Sequence, residues 1–238
     1  MIPAAVGTGV AVLVLKSDST TKTTIPVNKP RGTVFWGGAG LDGDYLKPLL
    51  KAFRDAGIHY IWSGLDNTST KTSIGSLAGG YIGTLMDAVR TGVMIKNDDG
   101  TDDWRVYPPT STKAAKQFNL VGYSYGSMLA AQTAKSYANL GYRVDHLVLI
   151  GSPIDSDFLA ILKKHKNIKK VSIINLTQHG DPIYAGMHFY ELAINSPELG
   201  LQMVNGQGEG HFYYAHVVSD SARRWAELAE MVKKEGLE

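Results

Sequence analysis

The stretch that most constrains this chain is Gly-Tyr-Ser-Tyr-Gly-Ser at residues 122–127. An apolar run at residues 118–121 is short enough for a buried strand, and the alanine-rich run that follows is typical of a helix. A strand that turns directly into a helix leaves its corner residue, here Ser124, in a strained conformation. Small residues two positions away on either side let the two backbones pass without a Cβ clash, and Gly122 and Gly126 meet this need, with small Ser127 next to it. The stretch therefore predicts a sharp turn that presents the Ser124 hydroxyl.

Short apolar runs alternate with amphipathic runs along the rest of the chain, which is typical of an α/β domain. Strands joined by helices predict a mostly parallel central sheet with helices on both faces, and ligands bind at the carboxyl ends of such strands. The strand patterns lie at residues 33–36, 59–62, 118–121, 146–150 and 171–176, and the helical patterns lie at residues 44–56, 74–93, 127–135 and 155–164. The runs at residues 9–16 and 24–27 predict an antiparallel hairpin ahead of this sheet.

Length and composition limit the domain organisation and the class of partner. A chain of 238 residues suits one domain with a full core and is too short for two. We expect a single domain over residues 1–238; the alternative is a domain cut from a longer protein, because Met1 and Leu237-Glu238 resemble cloning additions. A net charge of +2, with both signs mixed, offers no basic stripe for nucleic acid.

Several metal, redox and membrane features are missing from the sequence. Cysteine is absent, which excludes disulfides, thiol nucleophiles and cysteine metal sites and leaves the compartment open. The acidic run at residues 97–103 lacks the spacing of a calcium loop, so we expect an exposed turn. The apolar run at residues 2–15 is too short to cross a bilayer, and no basic residue precedes it as in a signal peptide. The lysines at positions 163, 164, 166, 169 and 170 predict a solvated helix end, with peripheral membrane contact as the alternative.

The turn at residues 122–126 has the G-x-S-x-G pattern of a nucleophile elbow, and with its flanking strand and helix the chain resembles the α/β-hydrolase superfamily. The resemblance covers nearly the whole chain in order and spacing. It implies an α/β-hydrolase fold with Ser124 as the nucleophile. It also implies an oxyanion hole made by the backbone N–H of Tyr125 and that of Gly38 or Ala39. The alternative is that the elbow and the glycine-rich loop at residues 37–40 are turns without a catalytic role.

The same resemblance implies an acid and a histidine after the serine, in that order. A serine hydroxyl needs a base to remove its proton, and the base needs a third group to hold its tautomer. Asp181 lies in a glycine-proline turn after the strand predicted at residues 171–176 and is the expected acid. Asp155, after the preceding strand, is the second choice, and Asp181 as a mere turn former is the other alternative.

The expected histidine is His211. A strand predicted at residues 201–204 leads through three glycines to this residue, and flexible backbone would let the imidazole reach the serine. His179, which precedes the acid in the same loop, and His216, where the closing helix should begin, are the competing candidates.

The spacing also bears on the substrate. The interval between residues 150 and 171 has room for one helix, so we expect no cap domain there. The interval between Asp181 and His211 holds apolar and aromatic residues that form either a small lid or pocket wall, or a helix packed on the sheet. The residues expected to line an uncapped apolar site are Trp36, Tyr123, Tyr125, Met187 and Phe212.

Taken with the resemblance, these features predict a carboxylic-ester hydrolase of lipase, phospholipase, esterase or thioesterase type. It would use Ser124, His211 and Asp181 through an acyl-enzyme intermediate and would require no metal or organic cofactor. The expected partner is a small-molecule or lipid ester. A lipolytic effector domain delivered by a bacterium into competitors is one alternative, and a non-catalytic α/β-hydrolase relative that binds a ligand or partner is the other.

Overall fold

The computed structural model describes residues 30–38, 43–64 and 109–238. The predicted hairpin at residues 9–27, the helix predicted at 74–93, the acidic run at 97–103 and the candidate donor Ala39 lie outside the described residues.

Five parallel strands form the sheet in the order β2-β1-β3-β4-β5. The strands are β1 (Gly32–Trp36), β2 (Ile61–Ser63), β3 (Phe118–Tyr123), β4 (Val144–Ile150) and β5 (Ile168–Ile174). The predicted α/β class with a parallel sheet is confirmed for this part of the chain. Strands β4 and β5 begin earlier than predicted, because Val144 pairs with Ile168 and extends their ladder toward its amino end.

Five helices accompany the sheet in the described residues. They are α1 (Leu46–Asp55), α2 (Tyr125–Asn139), α3 (Ser156–Lys164), α4 (Phe189–Asn205) and α5 (Ser221–Lys234). Short 3-10 turns lie at Thr110–Thr112, Thr177–His179 and Gly210–Phe212. Among these residues, no helix has both the length and the apolar character needed to cross a membrane.

The sheet separates two apolar cores, as the alternation of side chains along its buried strands requires. In β4, Leu147 and Leu149 belong to the core that contains buried residues of α2 and α3, whereas Val148 and Ile150 belong to the core formed with α1 and α5. Both faces of the described sheet are therefore covered by helices. Because its faces are covered, the sheet can present side chains to a ligand at the ends of its strands.

The strand predicted at residues 201–204 is wrong, because these residues form the end of α4. The helix begins with a capping box, in which the side chains of His188 and Glu191 each accept a backbone N–H of the other residue. It ends at Gly206, whose φ of 66° is a left-handed conformation that glycine adopts readily. The capping box at the start and the left-handed glycine at the end thus favour one helix over a short strand.

The lysine-rich segment is only partly the solvated helix end that the sequence predicts. Lys163 and Lys164 are in the last turn of α3, but Lys169 and Lys170 are exposed residues of β5. Lys170 forms an ion pair with Glu235 at 2.9 Å. Because the strands are parallel, Lys169 and Lys170 lie toward the amino ends of the strands. Ser124 lies at the opposite, carboxyl ends.

The strand order places a topological switch point between β1 and β3. From β1 the chain goes outward to β2, and from β3 it continues through β4 to β5 on the other side. In sheets of this kind, ligands bind in the crevice outside the carboxyl ends of the two central strands. Gly37 and Gly38 follow β1 there, and Ser124 follows β3.

Candidate active site

Ser124 occupies the corner between β3 and α2 in a strained backbone conformation. Its φ is 54° and its ψ is −125°, and it is the only non-glycine residue with a positive φ in the described part of the chain. Such a conformation costs about 1–3 kcal/mol and persists only where the surroundings enforce it. The Ser124 N–H donates to the carbonyl of Ile150 at 2.8 Å, which fixes the corner to β4. The predicted strand-turn-helix is confirmed, and the strain is concentrated at the serine.

The two glycines of the turn are required by close backbone contacts. A Cβ on Gly122 would lie 2.3 Å from the carbonyl oxygen of Gly126. A Cβ on Gly126 would lie 2.1 Å from the carbonyl oxygen of Gly37, in the loop after β1. Both distances are far below van der Waals contact. The glycines therefore let α2 begin against β3 and bring the loop after β1 against the corner.

Three polar side chains form a continuous series of hydrogen bonds at the carboxyl ends of the strands. The Oγ of Ser124 is 2.6 Å from Nε2 of His211, and Nδ1 of His211 is 2.8 Å from Oδ2 of Asp181. The second carboxylate oxygen, Oδ1, accepts the N–H of Ile183 at 3.0 Å. Three separate segments thus meet at one point: Ser124 follows β3, Asp181 lies in the loop after β5, and His211 lies in the last 3-10 turn.

The chemistry of the three side chains defines the donor and the acceptor of each hydrogen bond. A carboxylate only accepts, so Nδ1 of His211 carries the proton shared with Asp181 and Nε2 is left to accept from the Ser124 hydroxyl. The side chains of Asp181 and His211 are 0% and 5% exposed, whereas Ser124 is only partly buried. Of these three side chains, Ser124 is accordingly the one that a solute can reach. The imidazole of His211 is oriented to take the proton of the Ser124 hydroxyl.

Tyr123, which the sequence predicts to line the substrate site, instead contacts the buried side of His211. Its buried hydroxyl donates to the carbonyl oxygen of His211, and its ring is stacked on the imidazole with 6.0 Å between centroids. Burial, followed by the nearby Tyr45 and Asp181, raises the pKa of the Tyr123 phenol well above its ordinary value. The phenol therefore stays protonated and remains a hydrogen-bond donor to the backbone of His211.

The loop after β1 lies beside the serine. A Cβ on Gly38 would lie 3.3 Å from Cβ of Ser124, so a side chain at this position would crowd the corner. The Gly38 N–H donates to the hydroxyl of Tyr45 at 2.7 Å. Tyr125 is the first residue of α2, and the first N–H groups of a helix are directed out of its amino end. The structure thus places both described donor candidates next to Ser124.

The competing candidates for the acid and the base have other partners. Asp155 is the N-cap of α3, and its carboxylate accepts the N–H of Phe158 at 2.7 Å. His179 is stacked on Tyr213 with 3.6 Å between centroids. His216 accepts the N–H of Gly208 at 3.3 Å through Nδ1. Burial lowers the pKa of both His179 and His216. The hydrogen bonds to Ser124 and His211 are made by the residues that the sequence favours.

The expected substrate-lining residues differ in how much surface they offer. Trp36 and Tyr123 are each 1% exposed and belong to the two cores, so they present no surface to a ligand in this conformation. Met187 is buried in a small cluster with Ile183 and the partly buried Leu199. Phe212 keeps part of its surface exposed and meets the His211 ring edge-on, with 5.4 Å between centroids. Tyr125, the fifth expected residue, is 7% exposed and belongs to the same core as Trp36. Phe212 is therefore the one of the five that both borders the imidazole and remains accessible.

The sequence did not single out three residues that hold this site together. Tyr45 contacts the Gly38 N–H, Gln202 contacts the backbone next to both Asp181 and His211, and Ser152 accepts the Ser127 hydroxyl at 2.7 Å. Each acts through a side chain that reaches a partner between 7 and 25 residues away in the chain. A helical capping pattern at residues 188–191 is a sequence signal for the start of the helix that carries Gln202, but nothing in the sequence indicates the partners of this side chain.

The described residues hold no group of three or more Asp, Glu and His side chains that would serve as a metal site, and the sequence contains no cysteine. Comparisons with protein-family models, with curated proteins and with solved structures found no match to this chain.

Proposed function

We propose that this protein is a serine hydrolase of the α/β-hydrolase superfamily that cleaves carboxylic esters, with lipid-like esters as the preferred class. The observation that carries the proposal is the hydrogen-bonded chain from Ser124 Oγ through His211 to Asp181, which begins at a strained corner. Strain of this kind at an accessible hydroxyl costs folding free energy, and active sites are where proteins most often retain it.

In the proposed reaction, the Oγ of Ser124 attacks the ester carbonyl carbon while Nε2 of His211 takes the hydroxyl proton. Asp181 holds the imidazole in the required tautomer and stabilises the cation that forms. Collapse of the tetrahedral intermediate breaks the ester C–O bond, and His211 returns the proton to the leaving alcohol. A water molecule then attacks the acyl-enzyme by the same route, releasing the carboxylic acid and restoring Ser124.

The developing oxyanion would be bound by backbone N–H groups at the amino end of α2 and in the loop after β1. Tyr125 is one proposed donor, and Gly38 or Ala39 is the second. Because the Gly38 N–H donates to the Tyr45 hydroxyl in this structure, its use requires the oxyanion to replace that hydroxyl as the acceptor. The oxygen atom of Tyr45 shows where this N–H is directed.

The surface next to the histidine turn favours a lipid-like substrate. Helix α4 packs against the turn that carries His211, and its Ile194, Leu201 and Val204 are 72%, 66% and 82% exposed. Their spacing places them on one side of the helix. Clustered exposed apolar side chains of this kind commonly mark a lipid or partner surface.

A fluorophosphonate probe tests the proposed chemistry, because it forms a bond to an activated serine oxygen with loss of fluoride. We expect one adduct on the wild type, none on Ser124→Ala, and normal labelling of Ser219→Ala, a control at an exposed serine. A panel of p-nitrophenyl esters and phospholipid vesicles should then show activity that Ser124→Ala lowers by about 10⁴-fold or more. Folded wild-type protein that neither labels nor hydrolyses any ester would contradict the proposal and favour a binding role.

A further inference from the structure

A single glutamine joins the two loops that carry the acid and the histidine. Gln202 lies in the last part of α4, and its Oε1 accepts the backbone N–H of His211 at 2.8 Å. Its Nε2 donates to the carbonyl oxygen of Gly180, the residue before Asp181, at 2.9 Å. One side-chain amide is therefore hydrogen-bonded to the backbone on both sides of the contact between His211 and Asp181.

We propose that Gln202 is a positioning residue that sets the geometry of the His211–Asp181 pair by cross-linking their two loops. Its two hydrogen bonds use both ends of a planar amide, so they fix the separation of the loops as well as their orientation. Neither bond goes to Ser124. The glutamine therefore acts through the imidazole and not on a substrate.

The packing around the amide indicates that the space beside His211 is fitted to it. A Cβ on Gly210 would lie 2.2 Å from Oε1 and 2.4 Å from Nε2 of Gln202. Gly210 also has a φ of 54°, which disfavours any residue with a side chain. A side chain at position 210 would therefore displace the amide of Gln202 from its two hydrogen bonds.

The segment before His211 is rich in glycine, so a cross-link at its end restricts backbone freedom that the segment would otherwise retain. Gly206, Gly208 and Gly210 all have positive φ values, and glycine loses more conformational freedom on folding than any other residue. Gln202 holds the N–H of His211, and Tyr123 holds its carbonyl oxygen. The peptide groups on both sides of the imidazole are thus fixed by side chains from two different elements.

The kinetic consequence rests on the proposed function, whereas the structural consequence does not. If the loops separate, the imidazole loses its alignment with Ser124, and a displacement of about 1 Å can lower a rate by about 100-fold. We expect Gln202→Leu to lower kcat and the rate of fluorophosphonate labelling by about 10- to 100-fold. KM should change little, because the amide does not contact the substrate.

Two variants and one control make the test specific. Gln202→Leu removes both hydrogen bonds. Gln202→Glu keeps an acceptor for the His211 N–H but places a second oxygen against the Gly180 carbonyl, so it should fall between Gln202→Leu and the wild type. Gln207→Leu makes the same change at an exposed glutamine of the neighbouring loop and should behave as the wild type.

A proton NMR readout separates this inference from the proposed function. The proton between Nδ1 of His211 and Asp181 should give a far-downfield resonance in the wild type, assigned by its loss in His211→Ala. We expect Gln202→Leu to broaden or remove that resonance and Gln207→Leu to retain it, whether or not any ester is hydrolysed. If Gln202→Leu does not fold, as judged by circular dichroism, the same comparison with Gln202→Glu decides. An unchanged resonance and labelling rate in folded Gln202 variants would overturn the proposal.

Discussion

At the scale of single residues, the site depends on backbone groups that are held by side chains from elsewhere in the chain. Ser124 keeps its unusual φ because Gly122 and Gly126 leave room for a close crossing. His211 is held at both of its peptide groups by Tyr123 and Gln202. These contacts fix the position of the proposed reacting groups, and such preorganisation is what the proposed reaction would require.

The Tyr45 hydroxyl gives a prediction about the oxyanion hole. If Gly38 N–H is a donor to the oxyanion, the phenol competes for it, and Tyr45→Phe removes one competing acceptor. We expect kcat/KM on a soluble ester to rise by about 2- to 10-fold, the range of one net hydrogen bond. The measurement is steady-state kinetics with the thermal midpoint recorded in parallel. A fall in kcat at unchanged stability would show instead that the phenol serves the reaction.

Residue identities at this site could be predicted where they are local or implied by the resemblance. The serine corner is visible in six consecutive residues, and Asp181 and His211 were expected because the resemblance implies an acid and then a histidine after the serine. Tyr45 and Gln202 could not be predicted, because their roles depend on which backbone atom each side chain reaches. Tyr123 was assigned to the substrate surface, but the structure places its ring in the core and its hydroxyl on His211.

At the scale of elements, apolar patterns in the sequence predict the strands and most helices of the described residues. They do not predict α4, where a strand was expected at residues 201–204. Pro197 lies inside this helix, at a position that ordinarily ends one, and the apolar residues after it resemble a separate strand. The carboxyl end of β4 lies at the predicted residue, Ile150. Its beginning lies two residues earlier than predicted, because Val144 pairs with Ile168 of β5. Local patterns therefore predicted the elements that carry Ser124 better than the element that carries Gln202.

The exposed side of α4 gives a prediction about the physical state of the substrate. Replacing Leu201 and Val204 by serine removes apolar surface that a lipid aggregate would contact, without touching the hydrogen bonds of Gln202. We expect lower activity on phospholipid vesicles, by about 10-fold since each side chain contributes about 1 kcal/mol or more on burial, and unchanged activity on a soluble p-nitrophenyl ester. Initial rates on both substrates test it.

The control for that prediction is Leu140→Ser, at the far end of α2, where the leucine is 56% exposed. This end of α2 faces the opposite edge of the sheet from Ser124, so the substitution should leave both activities unchanged. Equal losses on vesicles and on the soluble ester for the α4 variant would contradict the proposed surface and indicate a general effect on the site.

At the scale of the whole molecule, three histidines link stability to pH. Burial is the main cause that lowers the pKa of His146, His179 and His216 in the folded protein. Below about pH 6.5, the ordinary histidine value, the unfolded chain therefore binds more protons than the folded one, and the free energy of unfolding falls as the pH falls.

We expect the urea midpoint to decrease on acidification from pH 7 toward pH 5. A second loss should follow near and below about pH 4, because hydrogen bonds from Arg224 and from Ser172 lower the pKa values of Asp220 and Glu235. His179→Phe keeps a ring stacked on Tyr213 and removes one titrating group, so its midpoint should depend less on pH between 7 and 5. A midpoint that rises on acidification in this range would contradict the assignment.

The central claim is that the imidazole of His211 activates Ser124 for attack on an acyl carbonyl. The most direct measurement is the rate at which a fluorophosphonate modifies the folded protein, with the adduct located by peptide mass spectrometry. We predict a single adduct on Ser124 that forms at least about 100-fold more slowly in His211→Ala, since a general base contributes about 10²–10⁴-fold. An adduct on another residue, or a Ser124 adduct whose rate does not depend on His211, would contradict the claim.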